Sequence, residues 1–126
     1  MRNLFFVAFL AMTTISFAQD KEILWEMKHL GWKVNSRFHD SAPIISPDGK
    51  TLYFFVADHP KNKYGVDNSQ DIWYCEKDEY GEWGEAIHME SPLNNQRYNQ
   101  VMSVLADGNT LLIRGSNGNS EGLSIT

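Results

Sequence analysis

The sequence has little that would hold it together covalently. Cys75 is its only cysteine, so an internal disulfide is excluded. Cys75 lies in an apolar strand pattern, which predicts a buried small side chain rather than a reactive thiol. Basic residues are also scarce, 11 against 16 acidic ones, and the formal net charge of −5 argues against a nucleic-acid partner. Packing has to supply the stability, and aromatic residues make up 13% of the chain.

The sequence also lacks an apolar run of the roughly 20 residues that a membrane-spanning helix needs. Residues 4–12 are almost wholly apolar, with Arg2 before them and Ser16, Phe17 and Ala18 after them. Small residues therefore occupy the two positions that a signal peptidase reads. This layout predicts a secretory signal peptide over residues 1–18, cleaved after Ala18, rather than a membrane anchor. We expect a mature chain of residues 19–126 that is not transmembrane.

Part of the sequence occurs twice. The stretch ISPDGKTLYF at residues 45–54 returns 59 positions later as VLADGNTLLI at residues 104–113. Beyond that match the offset shortens to 51, and NSQDI at residues 68–72 aligns with NSEGL at residues 119–123. A period of about 50–60 residues indicates a repeat architecture. The identical pairs at the longer offset are Glu26 and Glu85, His29 and His88, Asn35 and Asn94, Asp48 and Asp107, Gly49 and Gly108, Thr51 and Thr110, and Leu52 and Leu111.

The repeated stretch predicts a hairpin. Residues 42–45 and 51–56 form two short apolar segments, the second rich in aromatic and β-branched side chains. Between them Pro47 presets its own φ, Asp48 forms local hydrogen bonds, and Gly49 tolerates a positive φ. The stretch recurs because a unit of the fold recurs.

Two further strands complete the predicted unit. Residues 71–76 read as a third strand, and residues 83–88 as a fourth at the edge. The sequence thus predicts an all-β fold in which residues 42–88 form one complete four-stranded antiparallel sheet, the pattern of a β-propeller blade. Three strands of an incomplete second blade follow. Residues 23–30 align with the end of a fourth strand, so they are predicted to be an N-terminal closing strand.

The motifs resemble a known family when they are taken in order. SPDGKTLYF at residues 46–54, QDIWY at residues 70–74 and GEWGEA at residues 81–86 resemble the TolB-like, WD-type propeller repeats of bacterial envelope proteins. The resemblance covers roughly residues 35–125. The arrangement looks most like exported OmpA-family proteins, in which such a propeller precedes a peptidoglycan-binding domain. The resemblance implies that residues 19–126 are a partial TolB-like propeller from the front of a longer protein.

The second copy departs from the family pattern. Leu105 and Ala106 replace the Ser and Pro of SPDG, and Gly122 stands where DIW has its Asp. By resemblance we expect an exported, non-catalytic binding or scaffold module, located in the periplasm or at the outer membrane. Its expected partners are envelope proteins or peptidoglycan-associated components. The alternative is the propeller portion of an exported hydrolase, either a peptidase or a glycosidase.

No catalytic, cofactor-binding or metal site is predicted. Residues 118–122 match the hydrolase pattern G-x-S-x-G around Ser120, but they lack the preceding strand and the downstream partners that this chemistry needs. The acidic pair Glu76 and Asp78 surrounds a polar turn, which is typical of a solvated edge. The spacing argues against two metal patterns: Asp67, Asn68, Ser69 and Asp71 as a calcium loop, and His29, His39, His59 and His88 as zinc ligands.

The partial repeat has a consequence for stability. Repeat units present an apolar face to each neighbour, and roughly three or more units are usually needed to bury those faces. We therefore expect residues 19–126 to be marginally stable and to self-associate through exposed edges and apolar faces.

Overall fold

The described part of the chain forms two antiparallel β-sheets. A computed structural model describes residues 25–115 and 123–126. Within those residues the regular structure consists of seven strands, and there is no helix. The predicted all-β fold is therefore confirmed. The predicted signal peptide over residues 1–18 lies outside the described residues.

The first sheet contains four strands in chain order. They are β1 (His39–Ile45), β2 (Thr51–Ala57), β3 (Gln70–Glu76) and β4 (Ile87–His88), and each pairs antiparallel with the next. The predicted four-stranded sheet is confirmed.

The fourth strand is shorter than the predicted residues 83–88. Trp83 forms only an isolated bridge with Lys77. The Ala86 N–H then donates to the Lys33 carbonyl at 2.8 Å. The Gly84 N–H donates to the Glu76 carbonyl of β3 at 2.8 Å, whereas Ala86 bonds to the N-terminal part of the chain, so regular pairing with β3 is present only at Ile87 and His88.

The second sheet contains three strands. They are β5 (Gln100–Val104), β6 (Leu111–Arg114) and β7 (Leu123–Ile125), again antiparallel and in chain order. The prediction of a closing strand at residues 23–30 is wrong for its described part, because residues 25–30 are not in a strand. Trp25 and Met27 are 89% and 100% exposed. A strand needs a neighbour to pair its backbone groups, and none of the described strands lies alongside these residues.

The repeat seen in the sequence is also a repeat in geometry. The Ser46 N–H donates to the Thr51 carbonyl at 2.8 Å, and the Leu105 N–H donates to the Thr110 carbonyl at 2.8 Å. The glycine of each hairpin has a positive φ, 71° at Gly49 and 73° at Gly108. The two hairpins therefore share one turn conformation, although SPDG is replaced by LADG in the second.

An aspartate holds each turn through its side chain. Hydrogen bonds from the Ser46 hydroxyl at 2.6 Å and the Lys50 N–H at 3.0 Å lower the pKa of Asp48. The pKa of Asp107 is lowered in the same way by the Thr110 hydroxyl at 2.6 Å and by the Thr110 N–H. Both carboxylates are thus stabilised in their charged form.

The first strand of each sheet carries a bulge at an equivalent place. In β1 the pairing shifts between Ser41 and Ile44, where Ala42 has a φ of 52°. In β5 it shifts between Val101 and Ser103. One extra residue in each strand increases the local twist, so both sheets bend alike and can stack.

The core has two layers because side chains alternate along β2 and β3. One face of the first sheet carries a cluster that includes the fully buried Cys75, which confirms the prediction for that residue. On the other face, Ile72 of β3 packs against Val101, Leu111 and Ile113 of the second sheet. The two sheets are thus stacked on one another through Ile72. The first cluster consists of Val34, Leu52, Phe54, Val56, Trp73 and Cys75.

Candidate functional site

Buried polar side chains gather where the chain passes from the first sheet to the second. The connecting segment, residues 89–99, runs from β4 to β5, and it contains Asn94 and Asn99 at 3% and 0% exposure. Asp71 of β3, also fully buried, faces the same region. Within the described residues, every buried side-chain nitrogen and oxygen has a hydrogen-bond partner. The polar groups here form a closed network rather than an isolated charge.

The Asn94 side chain binds the backbone of the first sheet. Its Oδ1 accepts the Ile72 N–H at 2.7 Å, and its Nδ2 donates to the Ile72 carbonyl at 3.0 Å. Nδ2 also donates to the Met89 carbonyl at 2.6 Å. The Ile72 carbonyl also accepts the Met89 N–H at 3.0 Å, so backbone pairing continues one residue beyond β4, and the Asn94 side chain satisfies the Ile72 N–H.

Asp71 is held by hydrogen bonds to both carboxylate oxygens. Oδ2 accepts the Lys63 N–H at 2.7 Å and lies 2.8 Å from His88 Nε2. Oδ1 accepts a hydrogen bond from Asn99 Nδ2 at 3.1 Å. These contacts compensate the cost of burying a carboxylate, and they fix the His88 ring.

His88 lines an open cavity next to this network. The cavity encloses about 260 Å³ and is bounded by Lys63, His88, Glu90, Ser91 and Asn94, among others. The His88 side chain is 23% exposed, so a partly accessible imidazole is oriented by a buried carboxylate. That arrangement supplies two of the three members of a hydrolytic triad. The Ser91 hydroxyl, however, donates to Asn95 Oδ1 at 3.0 Å, which gives it a partner other than His88.

The His–Asn contact at this site occurs in both repeats. Asn94 Nδ2 lies 3.3 Å from His88 Nε2, and Asn35 Nδ2 lies 3.2 Å from His29 Nε2. A contact that recurs with the repeat points to an element of the repeat's architecture rather than to a catalytic site. The 59-residue offset pairs the two histidines and the two asparagines, but it does not show that each histidine contacts its asparagine. The available signal was the six-residue spacing of His and Asn in both copies.

The residues of the possible calcium loop do not converge. Asp67 pairs with Arg97 at 3.4 Å, and Asn68 Nδ2 lies 2.6 Å from the Tyr98 hydroxyl oxygen. Ser69 is buried and donates to the Gly65 carbonyl. No group of three or more His, Cys, Asp or Glu side chains arranged to hold a metal ion occurs in residues 25–115 and 123–126.

The remaining candidates are dispersed. His59 is packed between Phe38 and Trp73, with ring centroids 4.6 and 4.5 Å away, and burial is the main reason that its pKa is lowered. His39 is exposed on β1. Glu76 is exposed at the end of β3. Asp78 accepts the N–H groups of Tyr80 and Glu82, both at 2.9 Å. Ser120 lies outside the described residues.

Comparison with known proteins adds no family. No protein-family model matches the chain, and neither a curated protein nor a solved structure matches it. The part of the chain that the structure describes holds no helix of the length and apolar character that crossing a membrane requires.

Proposed function

We propose that this chain is part of an exported β-propeller that acts as a non-catalytic binding or scaffold element in the bacterial cell envelope. In this proposal each sheet is a propeller blade, residues 42–88 forming the complete one. The proposal includes cleavage after Ala18, a location in the periplasm or at the outer membrane, and the TolB-like resemblance of the SPDG, DIW and G-x-W motifs.

One observation carries the proposal. The second sheet packs on the first with Ile72 in an apolar site formed by Met89, Leu93, Leu111 and Ile113 of the second repeat. Apolar residues also stand at the four equivalent positions of the first repeat. Packing of this kind can continue from unit to unit, which is how blades follow one another in a propeller. One fold can host many functions, so the binding role in this proposal comes from the family resemblance and from the cavity beside His88.

The cavity beside His88 is the part of the surface best suited to a polar ligand. Lys63, Glu90, Ser91 and Asn94 surround it with both charge signs and an amide. Such a set suits the amides and hydroxyls of peptidoglycan fragments or of a protein loop. We propose envelope proteins or peptidoglycan-associated components as partners on this ground.

The test has two stages. The full chain with a C-terminal affinity tag is expressed in a bacterium with an outer membrane, and the exported product is examined by mass spectrometry for an N-terminus at Gln19. The product is then mixed with isolated peptidoglycan and with outer-membrane vesicles, and co-sedimentation is measured. Ser91→Tyr should block the cavity and reduce binding at least tenfold, whereas Tyr80→Ser, on an exposed turn that does not line the cavity, should not.

Three results would count against the proposal. A product that keeps Met1 and stays in the cytoplasm would remove the export step. Equal binding by the Ser91→Tyr and unchanged chains would remove the cavity as the binding site. Hydrolysis of peptides or glycosides that is abolished by His88→Gln would favour the exported-hydrolase alternative instead.

A further inference from the structure

The first sheet has an open groove that none of the other described residues fills. The groove encloses about 120 Å³ and is lined by Leu30, Val34, Asn35, Asp40, Leu52 and Phe54, among others. Its lining is mainly apolar, and Asn35, Asp40 and Ser41 are its polar members. We call it the Asn35 groove.

The Asn35 groove is equivalent, through the repeat, to the apolar site that Ile72 occupies. At that site Ile72 packs in one cluster with Met89, Leu93, Leu111 and Ile113. The 59-residue offset aligns these four residues, in the same order, with Leu30, Val34, Leu52 and Phe54 of the groove. The second repeat thus shows what such a groove receives, which is an aliphatic side chain from the third strand of a neighbouring sheet.

Asn35 is placed to bind that strand's backbone. It is aligned with Asn94, whose amide binds both backbone polar groups of Ile72. Asn35 also makes the same contact with its histidine, at 3.2 Å against 3.3 Å for Asn94. The groove therefore offers both an apolar pocket and an amide that can bind backbone groups.

Strand β7 has the features that an occupant of the Asn35 groove needs. The 51-residue offset aligns Leu123 of β7 with Ile72 of β3. Leu123 and Ile125 lie on the same face of β7, and they are 63% and 70% exposed. A strand with two exposed aliphatic side chains on one face is suited to an apolar groove.

The backbone polar groups of Leu123 in β7 are also oriented for this contact. Leu111 and Thr126 exchange both backbone hydrogen bonds, at 3.0 and 3.2 Å. Hydrogen-bonded and non-hydrogen-bonded pairs alternate along an antiparallel ladder, so Leu123, opposite Arg114, is in a non-hydrogen-bonded pair. Its N–H and C=O consequently face away from β6. Ile72 has the same relation to β2, and that is the side from which Asn94 reaches it.

Charge favours the same pairing. Arg114 is exposed and lies directly across from Leu123 in the sheet register. Asp40 lines the groove. Bringing β7 to the groove therefore places a positive and a negative side chain in one interface, which favours encounter and orientation.

We propose that strand β7 of a second copy of this chain docks in the Asn35 groove. Leu123 of that copy fills the cavity, and the Asn35 amide binds its backbone N–H and C=O. The contact joins two different surfaces, the groove of one copy and β7 of another. The copy at one end of an assembly therefore has a free groove and the copy at the other end a free β7, so further copies can add head to tail. The proposal rests on the repeat geometry and is independent of the envelope function.

Sedimentation velocity of residues 19–126, which include every described residue, tests the proposal. The unchanged chain should form species larger than a dimer as its concentration rises. Leu30→Asp should block the groove and Leu123→Asp should block the strand, so each variant should be monomeric. Mixing the two variants leaves one intact groove and one intact strand. An equimolar mixture should therefore form a 1:1 dimer that does not grow further.

The controls separate docking from unfolding and from general stickiness. Leu30, Leu123 and Tyr80 are 44%, 63% and 82% exposed, so their substitution should leave the circular dichroism spectrum unchanged. Tyr80→Ser should assemble like the unchanged chain. Asn35→Leu, which keeps the branching at Cγ but removes the amide, should weaken association at least tenfold.

A cross-link gives a second, independent readout. A Leu30→Cys chain mixed with a Leu123→Cys chain and an added oxidant should give a disulfide-linked heterodimer in preference to either homodimer. Cys75 is buried and should not compete. The proposal is overturned if the unchanged chain remains monomeric at all concentrations, if the two Asp variants do not complement each other, or if homodimers form as readily as the mixed cross-link.

Discussion

Asn94 lies 22 residues beyond Ile72, yet its side chain binds both the N–H and the carbonyl of that residue, at 2.7 and 3.0 Å. Ile72 is also the side chain through which the first sheet packs on the second. One amide thus joins the backbone of one sheet to the segment that leads into the next. The same asparagine recurs at Asn35, where the described chain leaves an open groove.

Removing the amide of Asn94 should loosen the junction of the two sheets. Asn94→Asp keeps the shape but loses the Nδ2 donor and places a carboxylate oxygen against the carbonyls of Ile72 and Met89. The Ile72 carbonyl then keeps only its hydrogen bond from the Met89 N–H. We expect a loss of about 1–3 kcal/mol in the free energy of unfolding, measured by urea denaturation. Asn109→Asp adds the same charge on the exposed second hairpin and should change stability by less than about 0.5 kcal/mol. Equal losses in the two variants would contradict this role for Asn94.

Gly115 should tolerate alanine less well than Gly49. Both have a positive φ, 96° and 71°. A Cβ at Gly115 would lie 2.6 Å from Asn99 Oδ1 and 2.7 Å from the Tyr98 carbonyl oxygen, whereas a Cβ at Gly49 meets nothing within 4 Å. Gly49→Ala should therefore cost about 1–2 kcal/mol from backbone conformation alone. Gly115→Ala should cost about 2–5 kcal/mol because backbone must also move. Urea denaturation of the pair would test the ranking, and a reversed order would refute it.

Stability should fall in mild acid through His59. Burial is the largest cause that lowers its pKa from the ordinary 6.5, with Lys61 next. The neutral ring also accepts the Lys61 N–H at Nδ1, at 3.0 Å, which a protonated ring cannot do. Because the folded pKa is below the unfolded one, the unfolded chain binds the proton more readily. The stabilisation is complete above about pH 6.5 and is lost as the pH falls from there toward the folded pKa.

The measurement is the free energy of unfolding from pH 8 to pH 5. His59→Leu keeps an apolar contact with Phe38 and Trp73 but cannot be protonated, so its stability should fall less over this range. Tyr80→Ser should keep the slope of the unchanged chain. Identical slopes for His59→Leu and the unchanged chain would show that His59 does not contribute.

Cys75 should react only when the chain unfolds. Burial, the largest cause, raises the pKa of its thiol to about 11, and the side chain is fully enclosed in the first-sheet core. At pH 8 a disulfide reagent should therefore modify the native chain slowly, and urea should accelerate the reaction. A matched chain with Cys75→Ala and Glu76→Cys moves the thiol to an exposed neighbouring position and should react at once. Rapid reaction of native Cys75 would contradict its burial.

The sequence by itself determined the features that depend on local chemistry. Asp48 and Gly49 specify the hairpin because their turn preferences act over four residues, and Asp107 and Gly108 specify it again. Alternation along residues 51–56 places Leu52 and Phe54 on one face, because side chains in any strand alternate. The repeat, the four-stranded sheet and the burial of Cys75 followed from such patterns.

Only the tertiary structure decided which distant groups meet. Two contacts depend on how residues 89–99 cross between the sheets: Asn94 with Ile72, and His88 with Asp71. Sequence periodicity does not encode that crossing. The wrong prediction of a strand at residues 23–30 has the same origin. Its repeat equivalents reach the end of β4, but a strand exists only where a neighbour accepts its backbone hydrogen bonds, and residues 25–30 have no such neighbour among the described strands. Local patterns select a backbone conformation, whereas pairing and burial depend on chain segments far apart in sequence.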